Sequence, residues 1–373
     1  MKLKIKKTKF DWELITLIIL FGCFCEFLYT SITGAKTSVV LIILCFWGIA
    51  LFVIKKKKFS KRDVICLCVV FIALIYSNSS ESIRYGLMLL TILVWEKLEF
   101  KAIPKFVTLL TAFGVILCLM QFIQGTARVY GFFASSAPQM ACTFIVCEAY
   151  LLVDMANNGI KKEKMILVIF SLISMFLTGT RSALLMGFAL FSVYFVIIYL
   201  NNSKISAKRT LFIVILTIMV VTFLINSNQL YSLLENKIGR NDMQASSNTR
   251  FGLYIVLWHD FTENARSLLI GRGGGYVEQR LMAYLGKNFY FPGHQDYLLI
   301  LCEYGVIGLV TVFSTFLKHH SAWLFFIIVF TLTSFHNAVL TPTTMLLLSL
   351  CMCDIENREY SLWIKRENRG EQV

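Results

Sequence analysis

The chain has 373 residues, 57% of them hydrophobic and 16% charged, with a mean hydropathy of +0.70. A soluble domain runs nearer half apolar and a quarter charged, so this composition excludes an ordinary globular enzyme and points into the membrane. The net charge of +14 suggests a nucleic-acid binder only until the charges are placed along the chain.

Apolar runs long enough to approach the thickness of a hydrocarbon core recur from end to end, and about twelve spans are expected. They cover residues 14–31, 38–54, 63–77, 83–96, 106–123, 138–155, 164–179, 181–200, 210–226, 296–317, 321–335 and 338–353. The expected organisation is nine spans over 1–226, one large extracytoplasmic loop over 227–295, three spans over 296–353 and a cytoplasmic tail over 354–373. The expected fold class is therefore an all-α integral membrane protein with short interfacial helices in its loop.

The first span follows a lysine-rich stretch, contains Glu26 and lacks a small-residue cleavage site, so it reads as a retained anchor. With the amino terminus inside, every short inner loop is basic. Those loops hold Lys55 to Lys58, Lys97, Lys101, Lys161, Lys162, Lys204 and Lys208, and most of the 36 basic residues lie on that side. This pattern places both termini in the cytoplasm. The basic balance is topology, and no nucleic-acid partner is expected.

All eleven cysteines fall in apolar spans. The pairs Cys23/Cys25, Cys66/Cys68 and Cys351/Cys353 are two residues apart and do not share a helix face, so they read as packing residues.

The outward surfaces carry Arg128, Arg181, Arg250, Arg266, Arg272, Arg280, His294 and His336. The inner loops are mostly Lys and the outer ones mostly Arg. An ammonium is a sufficient topogenic charge, whereas a guanidinium grips phosphate oxygens with a planar fork. The outer arginines thus suggest a phosphate ligand at the outer leaflet, or side chains snorkelling to lipid headgroups.

Within the long loop, Arg250 to Phe261 reads as an amphipathic interfacial helix capped by Asn248 or Thr249. Such a cap would set the positive end of the helix dipole beside Arg250. The cluster Gly271-Arg272-Gly273-Gly274-Gly275 follows no strand, so it reads as a flexible turn rather than a nucleotide loop. His294, just before the tenth span, can accept a proton from a hydroxyl near neutral pH, although a lone histidine is more often structural. No metal site is expected, since the outer loops show neither a His pair at ligand spacing nor an acidic triplet. No Walker loop or serine elbow supports ATP hydrolysis or acyl transfer, and no cofactor is expected.

Three stretches together resemble the O-antigen ligase/polymerase family of bacterial membrane glycosyltransferases. Thr178-Gly179-Thr180-Arg181-Ser182-Ala183-Leu184-Leu185 resembles its helix-hairpin signature. Thr249-Arg250, followed by Trp258, Gly271 and Gly273, is similar to the start of its outer loop. His294-Gln295-Asp296-Tyr297-Leu298, then Glu303-Tyr304-Gly305-Val306-Ile307-Gly308, resembles the loop end and the following helix. Arg128-Val129-Tyr130-Gly131-Phe132-Phe133 is similar to an Arg-x-x-Gly-Phe stretch before a middle span, so the likeness covers roughly residues 120–345. Family members often carry Ser where Thr180 stands and Asn where Gln295 stands.

The resemblance implies a GT-C-like glycosyltransferase in the bacterial plasma membrane, using an undecaprenyl-diphosphate-linked oligosaccharide without metal. It implies Arg181 and Arg250 against the leaving diphosphate and His294 at the acceptor hydroxyl. Arg128, Arg272, Arg280, Trp258 and Tyr297 are the expected substrate contacts, with membrane lipid, a chain-length regulator and a flippase as expected partners. Three functions stay open: repeat-unit polymerase, ligase to another acceptor, and flippase or transporter. A transporter is expected to show deep ionisable residues and broken helices. The mid-span acids here are Glu26, Glu148 and Glu303, and nothing in the sequence signals paired half-helices.

Overall fold

The computed structural model describes residues 12–25, 37–77, 80–126, 128–133, 136–201, 243–286, 296–317 and 341–367. Every regular element among them is a helix: α1 (Trp12–Phe24), α2 (Thr37–Ile54), α3 (Lys61–Ser77), α4 (Ser80–Trp95), α5 (Ile103–Ile123), α6 (Ala137–Asn158) and α7 (Lys162–Leu177). They continue with α8 (Arg181–Asn201), α9 (Met243–Thr262), α10 (Ala265–Ile270), α11 (Tyr276–Leu285), α12 (Asp296–Leu317) and α13 (Pro342–Glu367). The all-helical class expected from composition is present.

The expected spans at 210–226 and 321–335 lie outside the described residues. Three described helices are long and apolar enough to cross a membrane, Ile103–Ile123, Ala137–Asn158 and Asp296–Thr315, and further apolar helices are shorter. The last helix runs past the expected boundary at 353 to Glu367, so the first part of the expected tail continues the same helix.

α6 lies at the centre. Ser136 caps its start by accepting from the Gln139 amide, and every residue from Met140 to Leu152 is buried. α5, α7, α8 and α13 pack around it, while α2, α3, α4 and α12 extend the bundle. On α4, Trp95 is fully buried and its indole N–H donates to the Leu44 carbonyl of α2 at 2.9 Å. The outward faces are apolar too. Phe46 on α2 is 71% exposed, Ile75 on α3 67% and Ile123 on α5 82%. A water-soluble bundle would hide such side chains; an outer surface of this kind suits lipid.

The two ends of the bundle differ as the alternation of loops requires. At one end Arg358 of α13 pairs with Asp154 (2.7 Å) and Asp354 (2.8 Å), Lys164 also pairs with Asp154, and Lys97 pairs with Asp63 at 2.5 Å. Arg62 donates to the Ser314 carbonyl there, tying the start of α3 to the far end of α12. The opposite end carries Arg128, the α7–α8 turn and the segment from α9 to α11. Among the described residues, Lys97 and Lys164 lie at one end together with Arg62 and Arg358, and Arg128, Arg272 and Arg280 lie at the other.

The eleven cysteines are free thiols; nine are buried as packing residues, Cys353 is half-buried and Cys68 is exposed.

Candidate functional site

At the arginine-bearing end, α9 packs on α12 through Leu253, Leu257 and Phe261, one side chain per turn. Ile255 and Trp258 face away and are 56% and 55% exposed. A helix covers the expected Arg250–Phe261 stretch, but it begins at Met243 and is not the amphipathic one expected, since its exposed side carries apolar Ile255 and Trp258 as its packed side carries Leu253 and Leu257. Asn248 and Thr249 therefore lie inside the helix and cap nothing. The dipole argument for Arg250 fails with them, because the positive end of a helix extends only over its first turn.

The glycine cluster is a fixed clasp, not the flexible turn expected from its composition. α12 is broken at Gly305, whose φ of 65° lies in the left-handed region. A break in a helix frees carbonyls that would otherwise accept from four residues on. Two of them are taken by the cluster: the Arg272 amide donates to the Cys302 carbonyl at 2.9 Å and the Gly273 amide to the Glu303 carbonyl at 2.8 Å. The two backbones touch. A Cβ on Gly271 (φ 72°) would lie 2.3 Å from the Glu303 carbonyl carbon, and one on Gly305 would lie 2.3 Å from the Leu269 carbonyl oxygen. Glycine is required at both places by contact as well as by conformation. The sequence signals no paired half-helices, and this interruption lies within one helix, α12. The break is filled by loop backbone.

Glu303 completes the clasp. It is 2% exposed, and its Oε1 accepts from the Gly275 amide at 2.9 Å and the Val277 amide at 3.2 Å. These amides open α11, where unpaired N–H groups and the helix dipole favour an anion. The carboxylate of the membrane helix occupies that position.

Asp260, at the end of α9, gathers the expected substrate arginines. Arg280 Nε donates to its carboxylate at 2.7 Å and the Tyr276 hydroxyl donates at 2.9 Å. Arg272 donates from Nε and Nη2 to the Asp260 carbonyl at 3.1 and 3.0 Å, pairs with Glu263, and lies 5.1 Å over the Tyr276 ring. Burial would raise the Asp260 carboxyl, but the hydrogen bonds from Arg280 and Tyr276 and the charges of Arg280 and Arg272 hold it below the ordinary value. Burial and the same hydrogen bond push the Tyr276 hydroxyl up. Arg272 and Arg280 thus have a structural duty in holding the loop together.

Arg128 has one as well. Its Nε donates to the Thr178 carbonyl at 2.6 Å and its Nη2 to Thr180 Oγ1 at 3.3 Å. Gly179, with φ of 66°, makes the turn between α7 and α8. The hairpin expected at 178–185 is present, and one arginine holds the turn immediately before another.

Arg181 is the first residue of α8 and Arg250 lies in the first half of α9; the structure describes the backbone at both. His294 and His336 lie outside the described residues. Trp258 is exposed beside Phe261, with ring centroids 5.5 Å apart, and Tyr297 is half-buried at the start of α12. The structure brings Arg272, Arg280 and Tyr276 onto Asp260 and sets Arg128 against the hairpin.

The residues that organise this end and had no role in the sequence reading are Asp260 and Glu303. Asp260 sits on the polar side of its helix, and Glu303 is an acid in an apolar run. Either feature could have marked them, but neither names the partner.

A family model described as O-antigen ligase matches residues 166–313. That stretch takes in the hairpin, the outer loop and the following helix that carry the resemblance. The match is narrower than the 120–345 expected, and the Arg128-Val129-Tyr130-Gly131-Phe132 stretch lies outside it. No curated protein matches the chain. A polysaccharide-related ligase or polymerase family with membrane character is what the match supports.

Proposed function

We propose that this protein is a glycosyltransferase of the plasma membrane that joins undecaprenyl-diphosphate-linked oligosaccharide repeat units into a surface polysaccharide. The observation that carries the reading is the family match over 166–313, which takes in the Arg181 hairpin, the arginine-bearing loop and the broken helix that clasps it. In the reaction, the bond from the sugar anomeric carbon to the carrier phosphate breaks and a bond to the acceptor oxygen forms. His294 takes the acceptor proton, which typically contributes about 10²–10⁴-fold in rate. Arg181 and Arg250 offset the charge growing on the departing diphosphate. A diphosphate already leaves readily, so no metal is needed. Arg128 supports Arg181 by fixing the turn before it, and the exposed Trp258 offers a face to a sugar ring. A flippase delivering the lipid-linked unit and a chain-length regulator are the expected partners.

The similarity to O-antigen ligases favours a second reading, transfer of finished glycan to a separate acceptor. Purified protein in nanodiscs, given only lipid-linked repeat units and a chelator, should produce a ladder of lengths. His294→Ala should leave single units on the carrier, whereas His336→Ala should keep more activity. Product formed only when a different acceptor is added identifies a ligase. A normal ladder from His294→Ala, with none from His336→Ala, would transfer the role to His336.

A further inference from the structure

At the lysine-rich end, away from the site above, the start of α1, the end of α2, the segment between α4 and α5, and α13 enclose a cleft of about 690 Å³. That volume lies within the range of ordinary ligand sites, roughly 300–1,000 Å³. Its walls are of two kinds. Leu98, Phe100, Ile103 and Leu350 are buried and form an apolar floor, while Lys55, Lys57, Lys101 and Arg358 bring cations to it. Glu13, Glu99 and Asp354 also line it. Two of these acids are occupied: Glu99 pairs with Lys57 at 2.9 Å, and Asp354 pairs with Arg358 at 2.8 Å and accepts from the Tyr150 hydroxyl.

Two cations remain for something else. Lys101 is exposed, and Lys55 sits 4.7 Å over the Phe100 ring with its ammonium donating to the Glu99 carbonyl. Neither has a carboxylate within salt-bridge distance among the described residues. Burial, with the neighbouring Lys57 charge, pulls the Lys55 ammonium below the ordinary lysine value although the Glu13 and Glu99 charges oppose the shift, and a further anion in the cleft would offset what remains. Apart from those of α13, which continue the wall along the middle of that helix, the lining residues lie at or near helix ends, the depth at which headgroups sit.

We propose that this cleft binds the headgroup of an anionic phospholipid, with its phosphate at Lys55 and Lys101 and its glycerol region on the apolar floor. A soluble polyanion would use the lysines and gain nothing from that floor. A basic pocket between membrane helices is a recurrent form of lipid-headgroup site. The proposal rests on the membrane reading and is independent of the reaction.

The full-length protein in neutral detergent is titrated with phosphatidylglycerol or phosphatidylcholine, and retained lipid is counted by native mass spectrometry. Phosphatidylglycerol should be retained at least tenfold better. Each basic residue at an anionic surface is worth roughly fivefold, so Lys55→Gln with Lys101→Gln should weaken retention about 30-fold. Lys161→Gln with Lys162→Gln, charges of the same end outside the cleft, should change nothing. Lys101→Glu alone, at an exposed position, gives the same test if the double variant aggregates. Equal retention of the two lipids, an unaffected cleft variant, or equal loss in the control pair overturns the proposal. Displacement by glycerol phosphate at matched concentration also overturns it and leaves a site for soluble phosphates.

Discussion

Glu303→Ala removes the acceptor for two amides while leaving the rest of the clasp in place. Hydrogen bonds to a charged group contribute about 1.5–3 kcal/mol each, so the pair from Gly275 and Val277 is worth roughly 3–6 kcal/mol of local docking. Each 1.4 kcal/mol is tenfold, so opening of the α10–α11 segment should rise by about 10²–10⁴. Glu303→Gln keeps a carbonyl oxygen at the same reach and loses only the charge. Neutral hydrogen bonds are roughly half as strong, so opening should rise only about 10–100-fold. Hydrogen exchange at the Gly275 and Val277 amides in nanodiscs measures both, and polymer formation should follow the same order, with Gln active and Ala inactive. Unchanged exchange in Glu303→Ala would refute the anchor. Abolished polymer in Glu303→Gln with its amides still protected would show that the charge acts on substrate.

Asp260 adds a pH dependence. A carboxyl held below its ordinary value contributes stability that is present above the unfolded pKa and lost as pH falls through the folded one. Proteolytic nicking between residues 263 and 286 should therefore increase below about pH 4, and Asp260→Asn should remove that acid step while raising nicking at neutral pH. Arg128→Lys loses the two-pronged grip on Thr178 and Thr180, and should lower polymer yield about tenfold or more with normal membrane insertion; full yield would show that this grip is not needed to position Arg181. In a Cys68→Ser background, an impermeant thiol reagent added outside should label Gln279→Cys and spare Asn157→Cys. The opposite pattern would invert the topology.

The membrane class, the lysine-rich character of one end and the family likeness were legible in the sequence because each is a property of local composition. Hydropathy and charge accumulate along a single span or loop, and the hairpin around Gly179 is one short stretch. The clasp was not legible for the opposite reason. Its contacts join Arg272 and Gly273 to Cys302 and Glu303, some thirty positions away, and they exist only because α12 breaks at Gly305. Without that break the carbonyls of Cys302 and Glu303 would be spent within the helix, and the glycine cluster would have nothing to dock on. The start of α9 was misplaced because Asn248 and Thr249 are good caps in isolation, whereas the helix is held by Leu253, Leu257 and Phe261 packing on α12 and extends back past them. The outer arginines pointed to phosphate by their type alone. Tertiary structure turned Arg272 and Arg280 toward Asp260 and Arg128 toward the hairpin, because a guanidinium takes whichever acceptor the surrounding fold brings within reach of its fork.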